Sequence, residues 1–218
     1  GALRAEFDEL YHSLFKNAER HVSIVRTLAR RRGGLTRAEI SAKSRVANGG
    51  TLTKTLEELE ACAKDYLLVM GLPSVGGKPV TIRTLREIFG VDPDVSEPCF
   101  YNQDWYMHED FIDRQMESRW YLLRKEVVEA SRAVMPEQLM AEDYAFPTAI
   151  LCAYAFFAYW FCYDEKLWYH DFVWCCDTDH NGDRIYVGKY HDVDGVNKNG
   201  FSVHRHLALR SCYAAVDD

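Results

Sequence analysis

The residues with the most suggestive chemistry lie in one short stretch, DTDHNGD, at positions 177–183. Four oxygen-bearing side chains stand there at alternate positions: Asp177, Asp179, Asn181 and Asp183. Calcium-binding loops surround a hard cation with alternate oxygens in this way, and a glycine, here Gly182, permits the sharp bend. The bidentate glutamate that closes such a loop is replaced by Gly188. The stretch therefore resembles a calcium loop in its first half only.

The residues on either side favour a β-hairpin. FVWCC before the stretch and RIYVGKY after it are rich in β-formers, and Asn-Gly is the commonest pair in a type I′ hairpin turn. We prefer a hairpin alone. A hairpin that also binds a divalent cation is the alternative, because the two structures are compatible.

A second candidate metal site is the H-x-H pair of His204 and His206. Alternate residues of a strand point to the same face, so the two imidazoles would lie side by side, as in many metal sites. Such a pair needs a third ligand, and the sequence does not place the candidates near it; they are His170, Asp171, His191 and Asp192. The preferred interpretation is the polar face of a half-exposed strand.

Two further groups offer weaker catalytic hypotheses. The run His108-Glu109-Asp110 contains a possible general base, but it is more typical of the solvated side of a helix. Cys99 follows a proline, and an exposed thiol there would be a possible nucleophile. The seven cysteines are scattered and include no C-x-x-C pair, which indicates reduced thiols in a cytoplasmic protein.

The elements that would position these residues follow from hydrophobic patterning. The most apolar run, 146–162, predicts a buried helix, and it is shorter than the about 20 residues that span a bilayer, so no membrane partner is expected. Three β-rich segments follow at 167–176, 184–190 and 201–215. Helices first and strands afterwards predict an α+β fold, with an antiparallel sheet packed on that buried helix.

The first 65 residues have a different pattern. Apolar residues spaced by three and four predict one long helix over residues 4–31, which ends at Gly33-Gly34. Thr36 and Glu39 form the capping-box pattern of a short second helix, 36–43. A third helix begins near Thr51. This order is that of a helix-turn-helix module.

Two runs, SLFKNAERHVSIVRTLARRRGGLTRAEI and NGGTLTKTLEELEAC, resemble the winged-helix segment that follows the ATPase core in prokaryotic AAA+ type ATP-binding proteins. The resemblance covers residues 7–62 and implies a module that contacts DNA or a protein partner. The residues expected to make that contact are Arg30, Arg31, Arg32, Arg45, Thr51, Thr53 and Lys54. The family's wing strands are not visible after Cys62. ATPase activity is not expected, because GLPSVGGK is followed by Pro79 where a phosphate loop has Ser or Thr.

Charge is unevenly divided along the chain. Residues 1–65 carry 12 Lys and Arg against 9 Asp and Glu, whereas residues 66–218 carry 14 against 24. The acidic part disfavours wide contact with a phosphate backbone there. We therefore predict two domains, 1–65 and 66–218, in a binding or regulatory protein without clear enzymatic features. The alternative is a metal-dependent protein or enzyme whose site lies near the DTDHNGD turn and the H-x-H strand.

Overall fold

Helices form the N-terminal part of the chain, and helices with short sheets form the remainder, so the α+β class is confirmed. The computed structural model describes residues 1–30, 34–191, 199–205, 209 and 211–216. The chain divides into two units, Gly1–Tyr66 and Leu67–Asp218.

The long first helix predicted from the apolar spacing is wrong, because two helices, α1 (Ala2–Leu14) and α2 (Ala18–Leu28), occupy its place. The backbone of Phe15 is extended and ends α1. The break allows the Phe15 ring to stack on His21, with ring centroids 3.9 Å apart. It also brings the Asn17 carbonyl oxygen within 3.1 Å of His21 Nδ1. A ring stack and a hydrogen bond thus replace the missing helical turn.

The capping box predicted for the second helix is confirmed. Helix α3 (Arg37–Ser44) follows Thr36, whose hydroxyl accepts from the Glu39 N–H while the Glu39 carboxylate accepts from the Thr36 N–H. Helix α4 (Gly50–Asp65) completes the unit. Four buried aliphatic side chains form its core: Ile24, Ile40, Val46 and Leu52.

The second unit begins with strand β1 (Tyr66–Met70) directly after α4. A short hairpin follows, in which β2 (Ser74–Val75) pairs antiparallel with β3 (Lys78–Pro79). Both turn residues, Gly76 and Gly77, have positive φ, as a type I′ turn requires. The sequence showed no hairpin here because its strands are only two residues long and one of them ends in proline.

Three elements precede the main sheet. Helix α5 (Ile82–Phe89) is capped by Thr81, and strand β4 (Trp120–Arg124) pairs with β1. The short helix α6 (Pro136–Ala141) follows. The run His108-Glu109-Asp110 does not lie on the α-helix expected for it: two 3₁₀ turns, Trp105–His108 and Asp110–Asp113, occupy this segment. Glu109 lies between these turns in an extended conformation.

Helix α7 (Ala149–Tyr163) is the buried helix predicted for this unit, and most of its side chains are inaccessible to solvent. It packs against β5 (Phe172–Thr178) and β6 (Arg184–Gly188), which pair antiparallel. None of the helices that the structure describes is both long and apolar enough to span a membrane.

The main sheet has the order β7-β6-β5-β8, with β7 at Ser202–Arg205 and β8 at Tyr213–Ala214. Strand β7 pairs antiparallel with β6, but β8 pairs parallel with β5, so the sheet is mixed. The single strand predicted over residues 201–215 is therefore two short strands on opposite edges. The chain crosses the sheet between them, which a count of β-formers does not reveal.

Replacement of Gly188 by alanine tests the packing at the end of β6. Its φ is +119°, and an added Cβ would lie 2.6 Å from the Asp171 carbonyl oxygen. Backbone strain of about 1–2 kcal/mol adds to an overpacking cost of about 1–3 kcal/mol. We expect urea unfolding, followed by tryptophan fluorescence, to show this loss in the second unit, which contains all five tryptophans.

Gly182→Ala is the matched control, because Gly182 also has positive φ (+88°) but faces open space. It should cost only the backbone strain of about 1–2 kcal/mol. Equal losses in the two variants would contradict the close approach of Asp171 to Gly188.

Candidate metal centre

The DTDHNGD stretch forms the turn of the β5–β6 hairpin. The Asp179 N–H donates to the Asp183 carbonyl oxygen at 2.9 Å, and the Gly182 N–H donates to the Asp179 carbonyl oxygen at 3.0 Å. Gly182 has positive φ but Asn181 does not, so the predicted type I′ turn is wrong. The loop is instead a type I turn completed by a glycine in the left-handed conformation. The predicted hairpin itself is present.

Asp179 lies at the base of this turn with a fully buried side chain. Its Oδ1 accepts from the N–H groups of Asn181 and Asp183, both at 2.9 Å. Its Oδ2 accepts from Arg205 Nη1 at 2.9 Å. Burial by itself raises the pKa of Asp179, but the Arg205 hydrogen bond, the two N–H donors and the Arg205 charge together bring that pKa below its usual 3.8.

Glu109 contacts the same turn from the junction of the two 3₁₀ turns. Its Oε1 lies 2.7 Å from His180 Nδ1, and its Oε2 accepts from the His180 N–H at 2.9 Å. A carboxylate only accepts, so Nδ1 carries the proton in this contact. The Glu109 side chain is buried, whereas that of His180 is 67% exposed.

Glu109, Asp179 and His180 together form a group with metal-ligand composition. One ligand atom from each residue lies within 4.8 Å of the others. Metal–ligand distances of about 2.0–2.2 Å place the ligands of one ion at most about 4.4 Å apart. Small side-chain shifts are therefore enough to bring these three donors onto one cation.

The other members of the predicted calcium loop take different positions. Asp177 points into the interior, where Oδ1 pairs with Arg114 Nη1 at 2.8 Å and Oδ2 accepts from the Ala149 N–H at 2.6 Å. Asn181 and Asp183 are exposed. The carboxylates of Asp177, Asp179 and Asp183 do not gather into one group, so the calcium-loop geometry is wrong. Strand pairing, which continues to Thr178, separates Asp177 from the turn.

The H-x-H pair is only partly described. His204 lies on β7, with Nε2 at 3.3 Å from Gln103 Nε2 and its ring stacked on Tyr186. His206 lies outside the described residues, as does Asp192. The pair therefore stays a prediction.

Four of the predicted contact residues of the N-terminal unit line two clefts. Arg30 and Arg45 line one of about 590 Å³. Thr51 and Lys54 line another of about 760 Å³. Arg31 and Arg32 lie outside the described residues. The two clefts share no lining residue.

Two of the predicted contact residues, Lys54 and Thr53, already have partners on α4 and α3. Lys54 Nζ lies 3.8 Å from Glu58 Oε1, one turn further along α4. Thr53 Oγ1 accepts from Arg37 Nη2 at 2.6 Å. Both side chains are therefore already engaged within the unit, at its surface, where such contacts add little to stability.

Cys99 is not the exposed nucleophile considered from the sequence, because its side chain is completely buried. Burial raises the pKa of the Cys99 thiol, and a hydrogen bond with the Tyr190 hydroxyl only partly offsets this rise. The thiol is therefore protonated near neutral pH and a poor nucleophile.

Sequence reasoning missed Glu109 as a partner of the turn. Its neighbours suggested one exposed face of a helix, whereas the break between two 3₁₀ turns directs its carboxylate inward. No local pattern indicated that Glu109 contacts His180, which lies 71 residues later in the chain. Comparison with family models, curated proteins and solved structures gives no match, so the functional argument rests on this geometry.

The lowered pKa of Asp179 predicts a specific acid sensitivity. A group whose folded pKa lies below its unfolded pKa stabilises the fold above the unfolded value, and this contribution is lost as pH falls below about 4. In Asp179→Asn the charge facing Arg205 is removed. We expect its free energy of unfolding to fall less between about pH 6 and about pH 3 than that of the unmodified protein.

Urea unfolding with tryptophan fluorescence measures both values. Asp183→Asn is the control, because this exposed aspartate lies in the same turn, and it should keep the full acid sensitivity. An unchanged pH dependence in Asp179→Asn would contradict the assignment.

Proposed function

We propose that the second unit is a divalent-metal-binding domain whose ligands are Glu109, Asp179 and His180. The observation that carries this proposal is the convergence of two buried carboxylates and one imidazole at a hairpin turn. Buried carboxylates are costly unless they are paired or bind a cation. Arg205 pairs with Asp179, and the site keeps a net negative charge through Glu109.

The ligand set favours a borderline transition metal such as Zn²⁺ or Mn²⁺ over Ca²⁺. Imidazole nitrogen suits zinc and its neighbours, whereas calcium takes six to eight oxygens. Three protein ligands with an exposed histidine leave coordination positions on the solvent side, as in catalytic zinc sites. A metal bound there would polarise water or a substrate oxygen.

The contacts of Glu109 also have a role without metal. Its two oxygens bind both the N–H and the ring of His180, so they hold the turn against the 3₁₀ segment. A cation bound between Glu109 and Nδ1 would replace the hydrogen bond to the ring, with the ring proton moved to Nε2, and would leave the hydrogen bond to the backbone N–H. The turn is thereby held in a conformation close to the one that a metal ion requires, which lowers the cost of binding.

For the N-terminal unit, we infer that contact with DNA is disfavoured. Glu57 and Glu60 lie on the exposed side of α4, where they would repel phosphates. Thr53, which would otherwise be a candidate for base contact, accepts a hydrogen bond from Arg37. Absence of salt-dependent binding to duplex DNA is the expected result of a fluorescence titration.

Metal binding is tested by thermal unfolding, followed by tryptophan fluorescence, with Zn²⁺, Mn²⁺ or Ca²⁺ added to the metal-free chain. A metal at a hundred times its Kd stabilises the folded state by about 2.7 kcal/mol. We expect Zn²⁺ or Mn²⁺ to raise Tm and elemental analysis to give one equivalent. Glu109→Gln and His180→Ala should lose the response, since each removes one ligand.

Two matched controls separate this site from adventitious surface binding. Asp183→Asn removes an exposed carboxylate in the same turn, and His12→Ala removes an exposed imidazole from α1. Both should keep the full rise in Tm. An unresponsive unmodified chain, or an equal response in His180→Ala, would refute the proposal.

A further inference from the structure

Four apolar side chains lie near the ends of α5 and α7 or in the loop after α5, three of them exposed and Phe89 partly buried; they are called here the α5–α7 patch. Its members are Ile88, Phe89, Val95 and Phe161. Ile88 is 69% exposed, Val95 82% and Phe161 67%. Large apolar side chains that cluster at the surface of a folded unit mark interaction sites more often than isolated ones do.

Ring contacts fix the helical half of the patch. Phe89 stacks on Phe157 of α7, with centroids 4.1 Å apart and nearly parallel planes. Phe161 lies one turn further along α7, and its ring centroid is 5.6 Å from that of Phe89. Two helices that pack against each other therefore carry this half of the patch.

The loop that carries Val95 is bonded to the end of α5. Ser96 Oγ donates to the Phe89 carbonyl oxygen at 2.6 Å, which fastens the loop to the end of α5. The N–H groups of Val95 and Ser96 both donate to the Asp92 carbonyl oxygen. These bonds make the exposure of Val95 a feature of an ordered turn.

The segment that carries Ile88, Phe89 and Val95 is acidic. Residues 87–97 contain four acidic residues and no lysine or arginine: Glu87, Asp92, Asp94 and Glu97. All four are exposed. The nearest preceding base, Arg86, is paired with Asp104 at 2.6 Å and is largely buried. An apolar centre with an acidic rim is complementary to a surface that is apolar and basic.

We propose that the α5–α7 patch docks a cationic amphipathic helix of a partner protein. Its apolar face would cover Phe161, Ile88 and Val95, while lysines or arginines at its edges would face the acidic rim. A helix fits better than a strand, because the patch lies on helix ends and a tight loop, not along an open sheet edge. Charge complementarity also disfavours an identical patch of a second copy, since two acidic rims would repel.

The test uses fluorescence anisotropy with a labelled leucine–lysine amphipathic peptide of about 15 residues. Its matched probe is a leucine–glutamate peptide with the same apolar face. The full chain should bind the lysine peptide, and added salt should weaken that binding. The glutamate peptide should bind at least about tenfold more weakly.

Variants locate the binding on the surface. Phe161→Ser and Val95→Ser change exposed side chains and should keep the fold while weakening binding about tenfold or more. Val75→Ser is the control, because Val75 is also exposed (56%) but lies on the β2–β3 hairpin. Far-ultraviolet circular dichroism verifies folding of each variant.

Three outcomes would overturn the proposal. The first is equal binding of both peptides, or binding that Phe161→Ser and Val95→Ser leave unchanged. The second is a concentration-dependent dimer in sedimentation that Phe161→Ser abolishes, which would assign the patch to a second copy. The third is binding to lipid vesicles but not to the peptide, which would assign it to a membrane surface.

Discussion

The second unit depends on the ion pair and the hydrogen bond that the buried Asp177 carboxylate makes. This carboxylate joins three parts of the chain: strand β5, which carries it; the first turn of α7, whose Ala149 N–H it accepts; and Arg114, which follows the second 3₁₀ turn. A negative charge at a helix N-terminus is favoured by the helix dipole. The same two bonds therefore orient the core helix against the sheet and anchor the segment that carries Glu109.

The candidate site lies just beyond Asp177 in the chain. A second arginine, Arg205, pairs with its ligand Asp179. Arg205 reaches from β7 to Asp179, and its guanidinium lies 5.0 Å from the centre of the Trp105 ring. The Trp105 indole N–H in turn donates to the Val203 carbonyl oxygen at 3.1 Å. Residues from two distant segments, β7 and the first 3₁₀ turn, thus help to define the position of one turn. Such support is what a metal site needs, because ligands on a loose hairpin would not stay in place.

Much of the fold was predictable where local chemistry decides it. Nearby residues in the sequence decide three features: the capping box of Thr36 and Glu39, the buried helix α7 and the glycine-containing hairpin turn. The break at Phe15 was not predictable, because stacking on His21 outweighs continuation of the helix. Of the three ligands of the site, only Asp179 was predicted. His180 was not singled out from the same stretch, and Glu109 joins it through a tertiary contact that its own neighbours do not indicate.

The crossing of the chain from β7 to β8 determines the order in which the sheet can be completed. Strand β5 has β6 on one side, available as soon as the hairpin is synthesised, and β8 on the other, which lies about 40 residues later. Until residues 213–214 arrive, that edge of β5 presents unpaired backbone groups that can pair with another chain. Arg205, which pairs with Asp179, precedes β8 by only eight residues. One short part of the chain therefore supplies both the cation of the charged turn and the strand that covers this edge of β5.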